Sequence, residues 1–358
     1  MSLKRRFQLA VLFLATATIL IVAACAPKGS DGPNAKINLQ GAGATFPNPL
    51  YQKWLSEYGK LHPEVRIDYQ SIGSGGGIKQ IQAQTVDFGA SDSPMKDEDL
   101  KSAPAAILHV PTVLGAVVIT YNLSGGAAAL HFSPEVVADI FLGKIKKWND
   151  PHIGADNLGV NLPAGDITVV HRSDGSGTSA VFTDYLSKVS PEWKEKVGSG
   201  TSPSWPVGIG GKGNEGVTGQ VKNTPNTIGY VELAYAVKNN LPVALIKNQA
   251  QSFVAPTLEA VTAAAAESVA TTPEDLRVSI TNAAGKNAYP ISSYTYILVY
   301  KDQKDATKGK ALIDFLWWGI HDGENFAKDL QYAPLPQEII KRAEVKINSI
   351  SSGGKPLR

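Results

Sequence analysis

Three segments rich in glycine, serine and threonine contain the residue types that bind a small oxyanion. They are residues 41–47, 73–77 and 172–178, named the first, second and third glycine segments, and each precedes a predicted helix. Glycine lets the backbone turn its N–H groups toward a ligand, hydroxyls add donors, and a helix N-terminus adds the positive end of the helix dipole. One such segment alone is most often a plain turn. Three in one chain, one of them with an arginine, predict a site for a phosphate-like anion.

Arg172 lies at the predicted end of a strand, at the start of the third glycine segment. A planar guanidinium in this place can bind an oxyanion through two parallel hydrogen bonds, although an isolated arginine is more often a surface cation. Asp174 follows two residues later and is interpreted as the group that orients this guanidinium. An N-cap for the following helix is the alternative role for Asp174.

The N-terminus has the pattern of a lipoprotein signal peptide, predicted to span residues 1–24. Three basic residues precede an apolar run over residues 9–24, which ends in Val-Ala-Ala before Cys25, the only cysteine of the chain. We therefore predict lipidation of Cys25, for example by palmitate. An uncleaved membrane anchor is the alternative, because the run is close to the lower limit of ~17 residues for spanning a bilayer. Residues 25–34 are predicted to be a flexible tether.

This N-terminus predicts a location outside the cytoplasm, in the periplasm or on the outer-facing cell envelope, with the protein attached to a membrane by lipid. Removal of residues 1–24 takes away three basic and no acidic residues, so 31 of the 34 Lys and Arg remain against 32 Asp and Glu. The net charge then changes from +2 to −1. Nucleic-acid binding is disfavoured, because the chain lacks the basic field that binding a polyanion requires.

Helical and strand periodicities alternate along the chain. The alternation predicts an α/β fold with ligand-binding loops at strand ends, and the length predicts two domains. The predicted helices are residues 49–62, 78–84, 134–141, 179–188, 258–269 and 308–318. The predicted strands are residues 65–69, 86–90, 113–121, 166–171, 228–231 and 294–300.

Five stretches of sequence resemble the phosphate-binding proteins of bacterial high-affinity phosphate ABC transporters, the PstS family of periplasmic solute-binding proteins. The resemblance extends from about Asn38 to residues 352–357, nearly the whole mature chain. The five stretches are residues 41–47, 85–92, 142–148, 174–179 and 210–214.

The resemblance implies a two-lobed, periplasmic-binding-protein-like fold of type II. The ligand cleft would lie between two α/β lobes joined by crossing hinge strands. Lobe 1 would combine residues 35–113 with 290–350, and lobe 2 would hold residues 114–289. The implied function is that of a receptor that binds inorganic phosphate and delivers it to an inner-membrane ABC permease driven by a cytoplasmic ATPase. Some members of the family are soluble in the periplasm, whereas this chain has the motif for a lipid anchor.

By similarity, the phosphate contacts of the family fall on residues of all three glycine segments and on one aspartate. Phe46 would contribute its backbone N–H, and Ser74 both its hydroxyl and its backbone. Taken singly, Thr45 could be a helix cap, Ser74 a turn residue and Phe46 a core residue. The ligand-binding positions are Thr45, Phe46, Ser74, Asp92, Arg172, Ser176, Gly177 and Thr178, with Asp174 as a supporting residue.

Asp92 is the position that could distinguish phosphate from sulfate. A carboxylate only accepts hydrogen bonds, so it fits next to an anion that carries a proton, such as hydrogen phosphate. Sulfate at neutral pH has no such proton. A site built around a ligand O–H can reject an analogue without it by roughly 10⁴–10⁵-fold. The alternative is that Asp92 caps a helix near residues 96–100.

Other functions are disfavoured by the residues. A hydrolase could use Ser176 with His171 and Asp174, but the surrounding sequence is not the G-x-S-x-G of hydrolases and His171 is expected to point away. The six histidines are scattered without metal-ligand spacing, so no metal and no other cofactor is expected. A general, sulfate-like oxyanion binder remains an alternative, and a structural envelope protein would not explain the arginine and hydroxyls. We expect a monomeric binding protein and not an enzyme.

Overall fold

The computed structural model describes residues 36–123 and 129–358, so the predicted signal peptide, Cys25 and the tether lie outside the described residues. The strands are β1 Ile37–Gly43, β2 Val65–Ser71, β3 Phe88–Ser91, β4 Ile107–Asn122, β5 His131–Phe132, β6 Thr168–Arg172, β7 Ile209–Gly211, β8 Thr227–Glu232, β9 Leu245–Lys247, β10 Phe253–Val254, β11 Ser292–Tyr300, β12 Ser351–Ser352 and β13 Lys355–Pro356. The α-helices are α1 Asn48–Leu61, α2 Ser74–Gln82, α3 Asp97–Ser102, α4 Pro134–Phe141, α5 Pro151–Asp156, α6 Gly177–Val189, α7 Pro191–Lys196, α8 Gly213–Asn223, α9 Leu233–Lys238, α10 Leu258–Ser268, α11 Ala306–Gly319 and α12 Gln337–Asn348. Two 3₁₀ turns, Asp322–Phe326 and Lys328–Leu330, precede α12.

Each predicted helix and strand is present, and the clearest difference concerns the second glycine segment. The prediction began a helix at Ile78 behind a glycine loop, whereas α2 begins at Ser74 and includes those glycines. Close packing explains the glycines better than a turn does. A Cβ atom on Gly77 would lie 2.6 Å from the Cα atom of Gly43, so only glycine fits at this point of the helix.

Eight strands form one mixed sheet in the order β2-β1-β3-β11-β4-β8-β6-β7. The first part of β4 pairs with β11, and its last part, from Val117 to Asn122, pairs with β8; both pairings are antiparallel. β1 is parallel to β2 and β3, and β6 is parallel to β7 and β8. β4 is therefore shared by the two groups of strands. Residues Ile37–Arg358 form one compact unit, and the lobe limits given above stay a prediction.

Fourteen of the sixteen residues of β4 are buried, as expected for a strand covered on both faces. On one side of the sheet, Trp54 of α1 packs edge-to-face against Phe315 and Trp318 of α11, and its indole N–H donates to the carbonyl of Gly323 over 2.8 Å. This packing fixes α1, the helix that directly follows the first glycine segment. Across residues 36–123 and 129–358, no helix is both long and apolar enough to cross a membrane.

Candidate oxyanion-binding site

The three glycine segments meet where parallel strands end and helices begin. The first includes the end of β1 and leads into α1, the second begins α2, and the third joins β6 to α6. The N–H of Gly75 donates to the carbonyl of Gly175 over 2.9 Å, which joins the second segment to the third. A Cβ atom on Gly177 would lie 2.2 Å from Ser74 Oγ and 2.4 Å from Asp92 Oδ2. The structure therefore brings the predicted residues of different segments into direct contact.

All eight predicted ligand-binding residues are buried, and the polar side chains among them are at most 3% exposed. Buried polar groups require hydrogen-bond partners, and a cluster of them at helix N-termini is arranged to meet an anion. The buried polar side chains are Thr45, Ser74, Asp92, Arg172, Ser176 and Thr178.

Arg172 is held by an ion pair with Asp174, as the sequence analysis predicted. Its Nε–H donates to Asp174 Oδ1 over 2.7 Å, and Nη2–H donates to Oδ2 over 2.5 Å. Nη1–H donates to Thr178 Oγ1 over 3.2 Å. These bonds use three of the five guanidinium N–H groups, so two remain for another acceptor. Burial alone raises the pKa of Asp174, but the hydrogen bond and charge of Arg172 bring that pKa below its usual value.

Asp92 is a buried carboxylate that accepts from two hydroxyl groups. Thr295 donates to Oδ1 over 2.8 Å, and Ser74 donates to Oδ2 over 3.3 Å. Burial raises the pKa of Asp92 to about 7, against the opposing effects of Thr295, the positive charge of Arg172, and Ser74. The carboxyl group therefore changes charge near neutral pH.

Two alternative roles from the sequence analysis are wrong. Asp92 does not cap α3, because the N-cap position of that helix is Lys96 and no side chain caps it. Asp174 does not cap α6, because Ser176 does so by accepting from the N–H of Ser179 over 3.0 Å. Asp92 instead belongs to the buried polar cluster, and the partly buried Asp174 pairs with Arg172 of that cluster.

The structure does not assemble a serine-histidine-aspartate triad. The Oγ of Ser176 accepts a backbone hydrogen bond as a helix cap, and Asp174 pairs with Arg172. His171 Nδ1 lies 3.0 Å from the carbonyl oxygen of Arg172, and its ring stacks on Trp205. His171 is therefore not in the position of a general base for Ser176.

Two tyrosines fix the backbone of the first glycine segment from outside. Tyr235 donates to the carbonyl of Thr45 over 2.6 Å, and Tyr332 donates to the carbonyl of Phe46 over 2.7 Å. In a trans peptide the carbonyl and the next N–H point in opposite directions. The N–H of Phe46 therefore points away from Tyr235. The Phe46 ring is also buried, so a core role for its side chain and a binding role for its backbone are compatible.

Glu232 is a second buried carboxyl group close to this backbone. Burial raises its pKa well above the usual value. Tyr332 uses its one hydrogen on the carbonyl of Phe46, yet its oxygen also lies 3.1 Å from Glu232 Oε2. Glu232 Oε2 also accepts from the N–H of Ala234 over 2.8 Å, as the N-cap of α9. Glu232 is thereby held next to the tyrosine that binds the carbonyl of Phe46.

Sequence reasoning missed five residues that support the site. Asn214 belongs to a stretch that carried the family resemblance, but no role was assigned to it. Glu232 lay next to a predicted strand and Thr295 lay within one, and no motif around either residue indicated a ligand site. The tyrosine contacts join positions that are 190 and 286 residues apart, so nothing local marks them. The five residues are Asn214, Glu232, Tyr235, Thr295 and Tyr332.

The described parts of the chain contain no group of three or more His, Cys, Asp or Glu residues that could hold a metal ion. Two of the histidines have other contacts. The Nε2 atom of His109 accepts from the N–H of Met95 over 3.0 Å, and His321 Nε2 lies 2.9 Å from Glu344 Oε1.

Comparison with known proteins finds relatives over most of the chain. The family model described as "PBP superfamily domain" matches residues 28–317. The chain is 49% identical over 322 residues to the phosphate-binding protein PstS of Pasteurella multocida, a match that covers 89% of this chain and 93% of the relative. It is 40% identical over 362 residues to the phosphate-binding protein PstS of Methanocaldococcus jannaschii, covering 93% and 92%.

Solved structures with the same fold include the periplasmic phosphate-binding protein PfluDING bound with phosphate. It has a TM-score of 0.68 at 23% identity and covers 89% of this chain and 97% of its own. A phosphate-binding protein from Stenotrophomonas maltophilia has a TM-score of 0.67 at 21% identity, covering 87% and 94%. These matches, together with the family model, confirm the predicted two-lobed α/β fold class.

Proposed function

The chain belongs to the PBP superfamily and to the PstS phosphate-binding proteins, as the resemblance predicted, and we propose that it is the extracytoplasmic receptor of a phosphate ABC importer. Its ligand is inorganic phosphate in the hydrogen phosphate or dihydrogen phosphate form. Relatives that are 46–49% identical over most of their length carry the name of phosphate-binding proteins, which supports this function.

One observation carries the proposal: a guanidinium and a carboxylate lie in the same buried cluster. Arg172 has two N–H groups left for an acceptor, and the hydroxyls of the glycine segments add further donors. Asp92 can only accept when it is ionised. Many donors with a single acceptor fit an anion that carries one hydroxyl hydrogen.

Each side of the cluster has a distinct task in this proposal. Thr45, Ser74 and the N–H of Phe46 donate from one side, where Asp92 accepts the P–OH hydrogen. The other side donates through Arg172 and through the first turn of α6, whose N-terminus adds a favourable dipole. Asp174 orients the guanidinium. The residues donating at the start of α6 are Ser176, the N–H of Gly177, and Thr178.

The proposal also includes the attachment of the receptor to a membrane and the membrane protein that receives the phosphate. Lipid on Cys25, such as palmitate, attaches the receptor to a membrane, and the tether of residues 25–34 keeps the folded body close to the surface. A flexible tether of this length spans on the order of 20 Å, which raises the effective concentration near a membrane partner. That partner is an inner-membrane permease with a cytoplasmic ATPase, to which the receptor delivers phosphate as a monomer.

The proteins of this family are binding proteins for transport, and we propose no enzymatic activity for this chain. A phosphate-ester hydrolase using Ser176 is disfavoured, because the hydroxyl oxygen of Ser176 accepts a backbone hydrogen bond and His171 faces elsewhere. A general tetrahedral-oxyanion binder is the remaining alternative. It differs from the proposal in one measurable property, the affinity for sulfate.

Calorimetry with the purified mature protein tests the proposal directly. Phosphate should bind, arsenate should compete, and sulfate at neutral pH should not, because arsenate can carry the hydroxyl hydrogen and sulfate lacks it. Equal binding of sulfate and phosphate would favour the general oxyanion binder. Turnover of a chromogenic phosphate ester, abolished by Ser176→Ala, would favour the hydrolase.

A further inference from the structure

Asn214 joins residues from the first and third glycine segments. It lies in the first turn of α8 and is fully buried. Its Nδ2 donates to Thr45 Oγ1 over 2.8 Å and to Thr178 Oγ1 over 3.1 Å. One amide group therefore bridges two threonines that the proposed function places on opposite sides of the anion.

The orientation of this amide is determined by its other end. Asn214 Oδ1 accepts from the N–H of Glu232 over 2.9 Å. If the amide were turned over, Nδ2 would face that N–H, and two donors would oppose each other. Both hydrogens of Nδ2 are therefore directed at the threonine hydroxyl oxygens.

These contacts determine what each hydroxyl can do. A hydroxyl has two acceptor lone pairs and one donor hydrogen. Thr178 Oγ1 accepts from Asn214 and from Arg172 Nη1, so both of its lone pairs are used. Thr45 Oγ1 accepts from Nδ2 of Asn214 and, over 3.3 Å, from the backbone N–H of the same residue. Each threonine can then take part in one further bond only as a donor.

We propose that Asn214 is a positioning residue that makes Thr45 and Thr178 obligatory donors to the bound anion. This inference rests on the proposed function, because it assigns the direction of two hydroxyls in the same site. Because each threonine can only donate, the two ligand oxygens next to the threonines must be oxygens that carry no hydrogen. The hydrogen of hydrogen phosphate is consequently confined to the side of Asp92, and the anion binds in one orientation.

A double-mutant cycle separates this role from a merely structural one. Phosphate dissociation constants are measured by calorimetry for the wild type, Asn214→Ala, the two-valine variant with Thr45→Val and Thr178→Val, and the combination of all three substitutions. Valine keeps the shape of threonine without its hydroxyl. Asn214→Ala should weaken binding by about tenfold or more in the wild-type background, since hydrogen bonds to a charged group are lost or misdirected. In the two-valine background it should change affinity by less than about threefold.

Asn214→Asp is the second variant, with the same size and shape as the wild-type side chain. A carboxylate accepts from both threonine hydroxyls and so turns their hydrogens away from the anion. Phosphate affinity should fall by at least about a hundredfold, because two donors are lost and a negative charge is added. Asn223→Asp, at the exposed end of α8, adds the same charge to the same helix and is the matched control, with affinity expected to stay close to wild type.

The outcomes distinguish this inference from the proposed function. A wild type that does not bind phosphate would overturn the proposed function itself. A wild type that binds phosphate, with an Asn214→Ala loss of the same size in both backgrounds, would show that Asn214 acts without the two hydroxyls and would overturn the inference. So would wild-type affinity in a folded Asn214→Asp protein. The melting temperature of each variant without phosphate shows whether it is folded. If the Asn214→Ala protein does not fold, the phosphate affinity of Asn214→Asp alone tests the inference.

Discussion

Thr295 donates its hydroxyl hydrogen to Asp92 Oδ1 over 2.8 Å, although the two residues are 203 positions apart in the chain. Thr295 lies on β11 directly before a shift of register against β4, and its carbonyl accepts from the hydroxyl of Thr112. A hydrogen bond to the ionised form of a carboxyl group favours that form. Thr295 therefore opposes the burial that raises the pKa of Asp92 to about 7.

Thr295→Val should weaken phosphate binding by about tenfold at neutral pH. The substitution removes a hydrogen bond to the carboxylate, so the pKa of Asp92 rises further and a smaller fraction of the protein can accept the P–OH hydrogen. Calorimetry at two pH values, neutral and about one unit higher, measures the effect, which should shrink at the higher pH. Thr295→Ser keeps the hydroxyl and is the control. Equal affinities of the valine variant and wild type would contradict a role for this hydrogen bond.

Asp92→Asn should reduce selectivity more than affinity for phosphate. The amide keeps the size of the carboxylate but can also donate, so the repulsion that excludes sulfate disappears. The ratio of sulfate to phosphate dissociation constants should fall by at least about tenfold. Competition calorimetry at fixed ionic strength measures this ratio without a change in screening. If the variant excludes sulfate as strongly as wild type does, Asp92 does not distinguish the two anions by their protons.

Without phosphate, Asp92 should make the protein less stable as the pH rises. Its folded pKa of about 7 lies above the ordinary value of 3.8, so the folded state binds the proton more tightly. This contribution to stability is fully present below pH 3.8 and is lost as the pH rises through about 7. Its upper bound is roughly 4 kcal/mol, from about 1.4 kcal/mol for each pKa unit.

Chemical denaturation of wild type and Asp92→Asn between pH 4 and 8 isolates this effect, since all other groups are shared. The variant should be the more stable protein at pH 8, and the difference should diminish toward pH 4. A difference that is independent of pH would mean that the carboxyl group does not titrate in this interval.

Arg172→Ala should weaken phosphate binding by at least about a hundredfold, because the guanidinium provides charge-assisted hydrogen bonds in a buried site. The variant without phosphate should remain folded, although Asp174 loses its partner and the melting temperature should fall. Arg66→Ala removes an exposed arginine that also pairs with an aspartate and is the matched control. An Arg172→Ala protein with wild-type affinity would remove the guanidinium from the proposed site, whereas failure to fold would indicate a structural ion pair.

Cys25→Ser should release the protein from membranes or stall its precursor. Serine cannot form the thioether on which a lipid anchor depends, while the purified folded body should keep its phosphate affinity. Membrane fractionation of cells that express each form provides the measurement. A processed Cys25→Ser protein that stays with the membrane would show that lipid on this residue is not the attachment.

The elements that carry the site could be predicted from the sequence because their signals are local. Periodicity predicted α4 at its observed limits, and the glycine segments were expected to precede α1, α2 and α6. The pairing of Arg172 with Asp174 was also predictable, since the two residues are neighbours on one loop.

What escaped prediction depends on contacts between distant parts of the chain. Asn214 has an ordinary sequence setting, and its role exists only because α8 begins beside Thr45 and Thr178. Likewise, Tyr332 reaches Phe46 from 286 positions away. Gly77 was taken for part of a loop because glycine usually marks a turn. Here glycine is required within a helix by the close approach of Gly43, which no local pattern records.

Burial of the whole cluster affects the residence time of the bound anion as well as its affinity. Its polar side chains are almost fully shielded from water, and the Gly75–Gly175 hydrogen bond joins two of the segments around them. An anion among these groups can leave only after the segments separate, so its residence time is set by a movement of the protein. A membrane partner that holds the segments apart would shorten the residence time without competing for the anion at all.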